Sequence, residues 1–157
     1  MLSRVSGLMI RISIASPQEV VPLDESRGRF REIGRVVLEG EGVKVAKISL
    51  AFVDNPTIHD INNRFLKHDE PTDVITFPLS GRGAKTLEGE LVIGVEVALE
   101  QAKLRGHDVI TELSLYLIHG LLHLCDYDDL DDRARKAMRA RERHYLKLLD
   151  LPDIAEV

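Results

Sequence analysis

The chain is poor in cysteine: among its 157 residues only Cys125 carries a thiol. One thiol closes no internal disulfide, and such usage suits a reducing, cytoplasmic setting. Long hydrophobic runs are also missing. The longest, Leu113 to Cys125, falls short of the roughly 18–20 residues a membrane span needs and contains two histidines, so no membrane association is expected. Met1 to Ala15 alternates like a strand with Arg11 in its middle, without the basic start and long apolar stretch of an export signal. Positive charge is not in excess. The 21 Lys and Arg against 26 Asp and Glu leave −5, which disfavours tight nonspecific binding along nucleic-acid backbones while still permitting a local basic face. There is no internal repeat, low-complexity tract or linker. No Gly-x-Ser-x-Gly elbow or Walker loop is present, and Gly81-Arg-Gly83 lacks the strand–glycine–helix context of a dinucleotide site, so no nucleotide cofactor is expected. What is present is an ordinary globular mixture, 44% hydrophobic and 30% charged. Its length suits one domain over residues 1–157.

Hydrophobic periodicity predicts strands at Leu8 to Ala15 and Val43 to Val53, paired in one sheet and joined by a crossover helix over Pro22 to Glu39. Gly40 and Gly42 close that helix. Asn55-Pro56-Thr57 opens a further helix through Leu66, with Pro56 near the first turn, where its missing N–H is harmless. Val74 to Phe77 and Leu91 to Val95 read as short strands flanking a glycine-rich loop, Ser80 to Gly89. Helices follow at Val97 to Leu104, Ile110 to about Leu124 and Asp131 to about Leu149.

His119 and His123 stand four residues apart, one helical turn, so their Cβ atoms lie roughly 5–6 Å apart on one face. Two imidazole nitrogens at that spacing can meet one metal at about 2.0–2.1 Å. The surrounding helix is apolar on every side and should be buried, and buried imidazoles need partners. A third ligand has to come from the acidic stretch Asp126-Tyr-Asp-Asp129. Ten residues of unbroken helix would carry Asp129 about 15 Å from His119, so the helix must break just after His123. Asp126 is the expected left-handed residue at that break. The pattern His-x3-His-x5-Asp then offers two neutral imidazoles and one carboxylate, with a fourth position open to water, as catalytic sites have. Asp126 or Asp128 in place of Asp129 stays open as an alternative. Asp131 and Asp132 read as a solvated turn and an N-cap.

His119-Gly-Leu-Leu-His-Leu-Cys-Asp-Tyr-Asp-Asp129 resembles the signature His-Gly-x-Leu-His-Leu-x-Gly-Tyr-Asp-His of the YbeY family of single-strand-specific endoribonucleases. Ile61-Asn-Asn-Arg-Phe-Leu-Lys-His-Asp-Glu-Pro-Thr-Asp-Val-Ile-Thr-Phe-Pro78 is similar to that family's Leu-Asn-x-x-Tyr-Arg-x-x-Asp-x-Pro-Thr-Asp-Val-Leu-Ser-Phe-Pro, and Gly89-Glu-Leu-Val-Ile93 to its Gly-Asp-Ile-Val-Ile. The resemblance implies a single α+β domain, a mixed sheet of about four strands flanked by helices, and a zincin-like metal site on a core helix. It also implies metal-dependent cleavage of single-stranded RNA in ribosomal RNA maturation and ribosome quality control, with small ribosomal subunit proteins as partners. The implied metal is one Zn2+ per chain, with Fe2+ or another divalent ion as alternatives, held by His119, His123 and Asp129.

Three positions depart from the family pattern. Asp129 stands for a histidine, Asp126 for a glycine and Leu66 for an arginine. A carboxylate in place of imidazole lowers the formal charge of a zinc site from +2 to +1, so its bound water should have a pKa above about 7 and activity should favour higher pH. Losing a cation that faces phosphate could cost on the order of 3 kcal/mol of transition-state stabilisation. Arg64, Lys67 or His68 are candidates to replace it. A basic stripe, Lys136, Arg139, Arg143 and Lys147, and the loop around Arg82 and Lys85 are further candidate RNA contacts. The stripe reads more readily as the solvated face of an amphipathic helix whose other side packs on the core. The alternative function is a ribosome- or RNA-binding family member with weak or no catalysis. A zinc peptidase is disfavoured, because Gly120 occupies the position of the general base in His-Glu-x-x-His. Cys125 reads as a small buried residue rather than a nucleophile or fourth ligand.

Overall fold

The computed structural model of the chain describes residues 2–3, 9–66 and 74–155. Strands β1 (Leu2–Ser3), β2 (Met9–Ala15), β3 (Val45–Val53), β4 (Val74–Pro78) and β5 (Leu87–Gly94) form one sheet in the order β1-β2-β3-β5-β4. The expected four-strand mixed sheet is therefore present, extended by the two-residue β1. β2, β3 and β5 run parallel, with Ile12 opposite Ile48 and Leu50 opposite Leu91, while β1 and β4 pair antiparallel at the edges.

The β2-to-β3 crossover is α1 (Arg27–Gly40), which buries Phe30, Ile33, Val37 and Leu38 at helical spacing. It begins later than the apolar pattern suggested. Pro22 lies outside it, and a 3-10 turn over Asp24–Ser26 leads in. After α2 (Asn55–Ile61), capped by the Asp54 carboxylate on Thr57 N–H at 3.0 Å, the chain continues as a π-helical turn over Asn62–Leu66. The loop expected over Ser80 to Gly89 is shorter, because Leu87, Glu88 and Gly89 already belong to β5, held between β3 and β4. Pairing of all three with β3, and of Gly89 also with Pro78, outweighs the local turn signal of a glycine.

α3 (Val95–Arg105) ends at Gly106 in the left-handed region, and Asp108 then caps α4 (Val109–Leu124) through Thr111 N–H at 2.8 Å. From Thr111 to Leu124 every α4 residue except His119 and His123 is buried. The helix lies tight on the sheet. A Cβ on Gly120 would sit 3.0 Å from Leu91 Cδ2 and 3.2 Å from Val74 Cγ2, and one on Gly89 would meet Leu124 at 2.8 Å. The two exposed-edge imidazoles are thus carried on a helix clamped along its whole length, which is what positions the site. α5 (Asp132–Leu148) closes the molecule by burying Met138, Tyr145 and Leu146.

Candidate metal centre

α4 stops where the chain must turn back. Asp126 adopts φ 75°, Asp126 N–H donates to the His123 carbonyl at 3.1 Å, and Tyr127 N–H donates to the Leu122 carbonyl at 3.0 Å. These are the paired hydrogen bonds of a Schellman ending, with aspartate at the left-handed position that glycine occupies most cheaply. Asp131 then caps α5 through Ala134 N–H at 2.7 Å, as its spacing predicted. Between the two caps Asp129 returns to the histidines. Its Oδ2 lies 4.0 Å from His119 Nε2 and its Oδ1 3.9 Å from His123 Nε2, while the two rings stand 4.7 Å apart at 75°.

One ligand atom from each of these three residues falls within 4.8 Å of the others, and no other group of three His, Cys, Asp or Glu does so among the described residues. Bonds of about 2.0–2.2 Å around a four-coordinate ion set ligand atoms roughly 3.3–3.6 Å apart, so side-chain rotations of roughly 1 Å let this trio close on a cation. Burial, and next the neighbouring His119, lower the pKa of His123, keeping the imidazole in the neutral form that metals require. Asp126 and Asp128 are not part of the trio. Asp126 pairs with Arg82 at 3.5 Å and Asp128 accepts from Leu130 N–H at 3.2 Å.

Two residues that periodicity did not single out support the trio. Glu142, 1% exposed, reaches His119 Nδ1 at 2.7 Å through Oε2. Glu41, at the end of α1, accepts from Tyr145 Oη and from Arg141 Nε at 3.1 Å, and Tyr127 also donates to it. Burial alone would raise the Glu41 pKa, but these hydrogen bonds hold it below its ordinary value, while burial and next the hydrogen bond to Glu41 raise Tyr145 and Tyr127. The loop bearing Asp129 is thereby tied to α1 and α5. Glu142 had one sequence signal, as the sole acid among seven basic residues from Arg133 to Lys147. Glu41 had none.

The basic stripe does not present itself as expected. Arg139 turns inward to Glu142 at 2.8 Å and Arg143 pairs with Asp153 at 3.4 Å, leaving Lys136 and Lys147 on the exposed face. Arg64 is exposed and pairs with Asp60 at 3.2 Å; Lys67 and His68 lie outside the described residues. Arg82 and Lys85 line a cleft of about 460 Å³ together with Lys44, Glu41, His123 and Asp126. Cys125 is unsuited to nucleophilic chemistry, since burial and then Glu41 push its thiol up to about 12. No helix of the described residues is long and apolar enough to cross a membrane.

The family model described as endoribonuclease YbeY matches residues 12–150. The chain belongs to the endoribonuclease YbeY family. Relatives bearing that name include one from Pelotomaculum thermopropionicum, 34% identical over 148 residues and covering 89% of this chain and 97% of the relative. Another, from Carboxydothermus hydrogenoformans, is 34% identical over 139 residues, covering 88% and 96%. The solution structure of TM1509 from Thermotoga maritima is similar, with a TM-score of 0.65, 25% identity, and coverage of 88% of this chain and 89% of that one. A Cβ at 120 would sit 3.0 Å from Leu91 and 3.2 Å from Val74, so a glutamate in the position of a zinc peptidase's general base would press on both side chains.

Proposed function

We propose that this chain is a metal-dependent endoribonuclease of single-stranded RNA, acting in the cytoplasm in ribosomal RNA maturation and ribosome quality control, with residues 1–157 as one catalytic domain and small ribosomal subunit proteins as partners. The observation that carries the proposal is the convergence of His119, His123 and Asp129, ligand atoms within 4.8 Å, on the best-clamped helix of the fold. These three residues would hold one divalent cation. Two imidazoles and a carboxylate suit Zn2+, with Fe2+ as the alternative. When bound, such a cation supplies Lewis acidity toward a phosphoryl oxygen and lowers the pKa of water.

The remaining work falls to the chain itself. Lys44, Arg82 and Lys85 line the cleft that reaches His123, and in this reading they receive backbone phosphates on either side of the scissile bond. Arg64, Lys67 and His68 are the proposed replacements for the cation that the family carries at the position of Leu66. Being neutral, His123 offers a lone pair without adding charge next to the phosphate. The reading of the chain as a binding module without catalysis is not favoured by the relatives from Pelotomaculum thermopropionicum, Carboxydothermus hydrogenoformans and Clostridium acetobutylicum, each named as an endoribonuclease.

The test measures metal content and cleavage of a single-stranded RNA for the native chain, His123→Ala and Leu66→Arg. The native chain should cut, lose cutting to a chelator and regain it with added metal; His123→Ala should lose both metal and cleavage. A silent native chain made active by Leu66→Arg would replace the catalytic reading by the binding one.

A further inference from the structure

We propose that Glu142 is a positioning residue for His119: by accepting the Nδ1 proton it leaves Nε2, the nitrogen facing Asp129 and His123, with its lone pair free. The proposal takes its purpose from the reading of the trio as a metal centre, but its geometry stands apart from that reading. A buried carboxylate away from water needs partners for its lone pairs. Glu142 is 1% exposed, and its Oε2 lies 2.7 Å from His119 Nδ1 and 2.8 Å from Arg139 Nη1, with Oε1 3.0 Å from the same Nη1. Arg139 itself approaches His119 Nδ1 to 3.5 Å.

A guanidinium only donates and a carboxylate only accepts. His119 Nδ1 therefore sees an acceptor at 2.7 Å and a donor at 3.5 Å, and the nearer group decides. Nδ1 carries the hydrogen, and in the one-hydrogen form of the ring that a metal takes Nε2 is the bare nitrogen. The hydrogen bond at one ring nitrogen sets the role of the other, and here the bare nitrogen is the one 4.0 Å from Asp129 Oδ2. Arg139, gripping both carboxylate oxygens, stops Glu142 from rotating away. Without Glu142 the polar neighbour left to Nδ1 is the Arg139 donor, which calls for a lone pair on Nδ1 and drives the hydrogen onto Nε2, closing that ligand position. Glu142 touches neither phosphate nor the metal position, so it acts through His119 alone.

The test is a long-range proton–nitrogen correlation spectrum of the metal-free, nitrogen-15-labelled full chain, followed upward in pH until each ring shows a single hydrogen. In the wild type His119 should show hydrogen on Nδ1 and a bare Nε2. Glu142→Leu should reverse that pattern, and its zinc affinity, read by competition with a chromophoric chelator, should fall 10–100-fold. Glu142→Gln keeps an acceptor oxygen in the same volume and should retain the wild-type pattern with a smaller loss of affinity. Hydrogen on Nε2 in the wild type overturns the proposal whatever the variants do, and so does a folded Glu142→Leu with wild-type pattern and affinity. A wild type that binds no zinc yet shows the Nδ1 pattern overturns the metal reading and leaves the positioning of the imidazole standing.

Discussion

The chain builds the same buried grouping twice, once near each end of α4. At the N-terminal end Glu112, 1% exposed, meets His107 Nε2 at 2.5 Å and Arg105 Nη1 at 3.3 Å, and Arg105 also donates to the Ile154 carbonyl. Toward the C-terminal end Glu142, equally buried, meets His119 and Arg139. Glutamate, histidine and arginine are common to both, so the side-chain chemistry does not distinguish a structural pair from a functional one. What differs is the environment of the imidazole's second face. His119 looks onto His123 and Asp129, whereas among the described residues no second cluster with metal-binding capacity includes His107. The first grouping ties Ile154 to the α3–α4 corner; the second holds His119 toward His123 and Asp129.

That contrast can be broken experimentally. The largest effect belongs to the open end: His119→Ala should abolish stoichiometric metal binding and reduce RNA cleavage on the order of 10³-fold or more, with little change in the unfolding midpoint, as read by metal analysis, a cleavage assay and denaturant melts. Glu112→Ala should do the converse. Leaving two cationic or polar partners buried around a missing carboxylate costs about 3 kcal/mol, visible in urea unfolding, while metal stoichiometry stays at the wild-type value. Gly120→Glu would create the peptidase pattern in sequence, yet the side chain has to displace Leu91 and Val74. We expect a loss of about 2–3 kcal/mol from overpacking and no peptide hydrolysis.

A pH experiment sharpens the same comparison at the hinge between α1 and α5. The Glu41 pKa is lowered from its ordinary 4.5 in the folded chain. Its contribution to stability is therefore complete above pH about 4.5 and is lost as pH falls through the lower folded value. Glu41→Gln should flatten that acid limb in a series of denaturant melts between roughly pH 3 and 6, without altering the melts' response to Glu112→Ala. The smallest effect is at the helix break. Asp126→Gly relieves the left-handed φ of 75° and should stabilise the chain by about 1 kcal/mol, with its ion pair to exposed Arg82 contributing little in opposition.

What could be read from residue order was local in its physics. His119 and His123 share a face because 3.6 residues make a turn, Asp126 ends the helix because the chain must reverse within a few residues, and Asp131 caps because its carboxylate reaches an N–H three positions on. Each depends on neighbours less than ten residues away. The misreadings came from packing that the local pattern does not show. Arg139 repeats at helical spacing with the solvent-facing residues of α5, but Glu142, three positions on, is buried against His119 and draws it inward, while Arg143 pairs with Asp153 at the surface. Leu87 to Gly89 looked like loop because nothing in their local order shows that β3 lies alongside all three and Pro78 of β4 opposite Gly89.

The amino-acid order thus settles which side chains can present ligands and where the helix bearing them must stop, since backbone periodicity and capping are short-range forces. Whether an ionisable group becomes buried, and against whom, is settled only on folding. Glu142 lies 23 positions from His119 and Glu41 lies 104 from Tyr145, and burial, the event that makes those hydrogen bonds compulsory, exists only once α1, α4 and α5 have packed around one core.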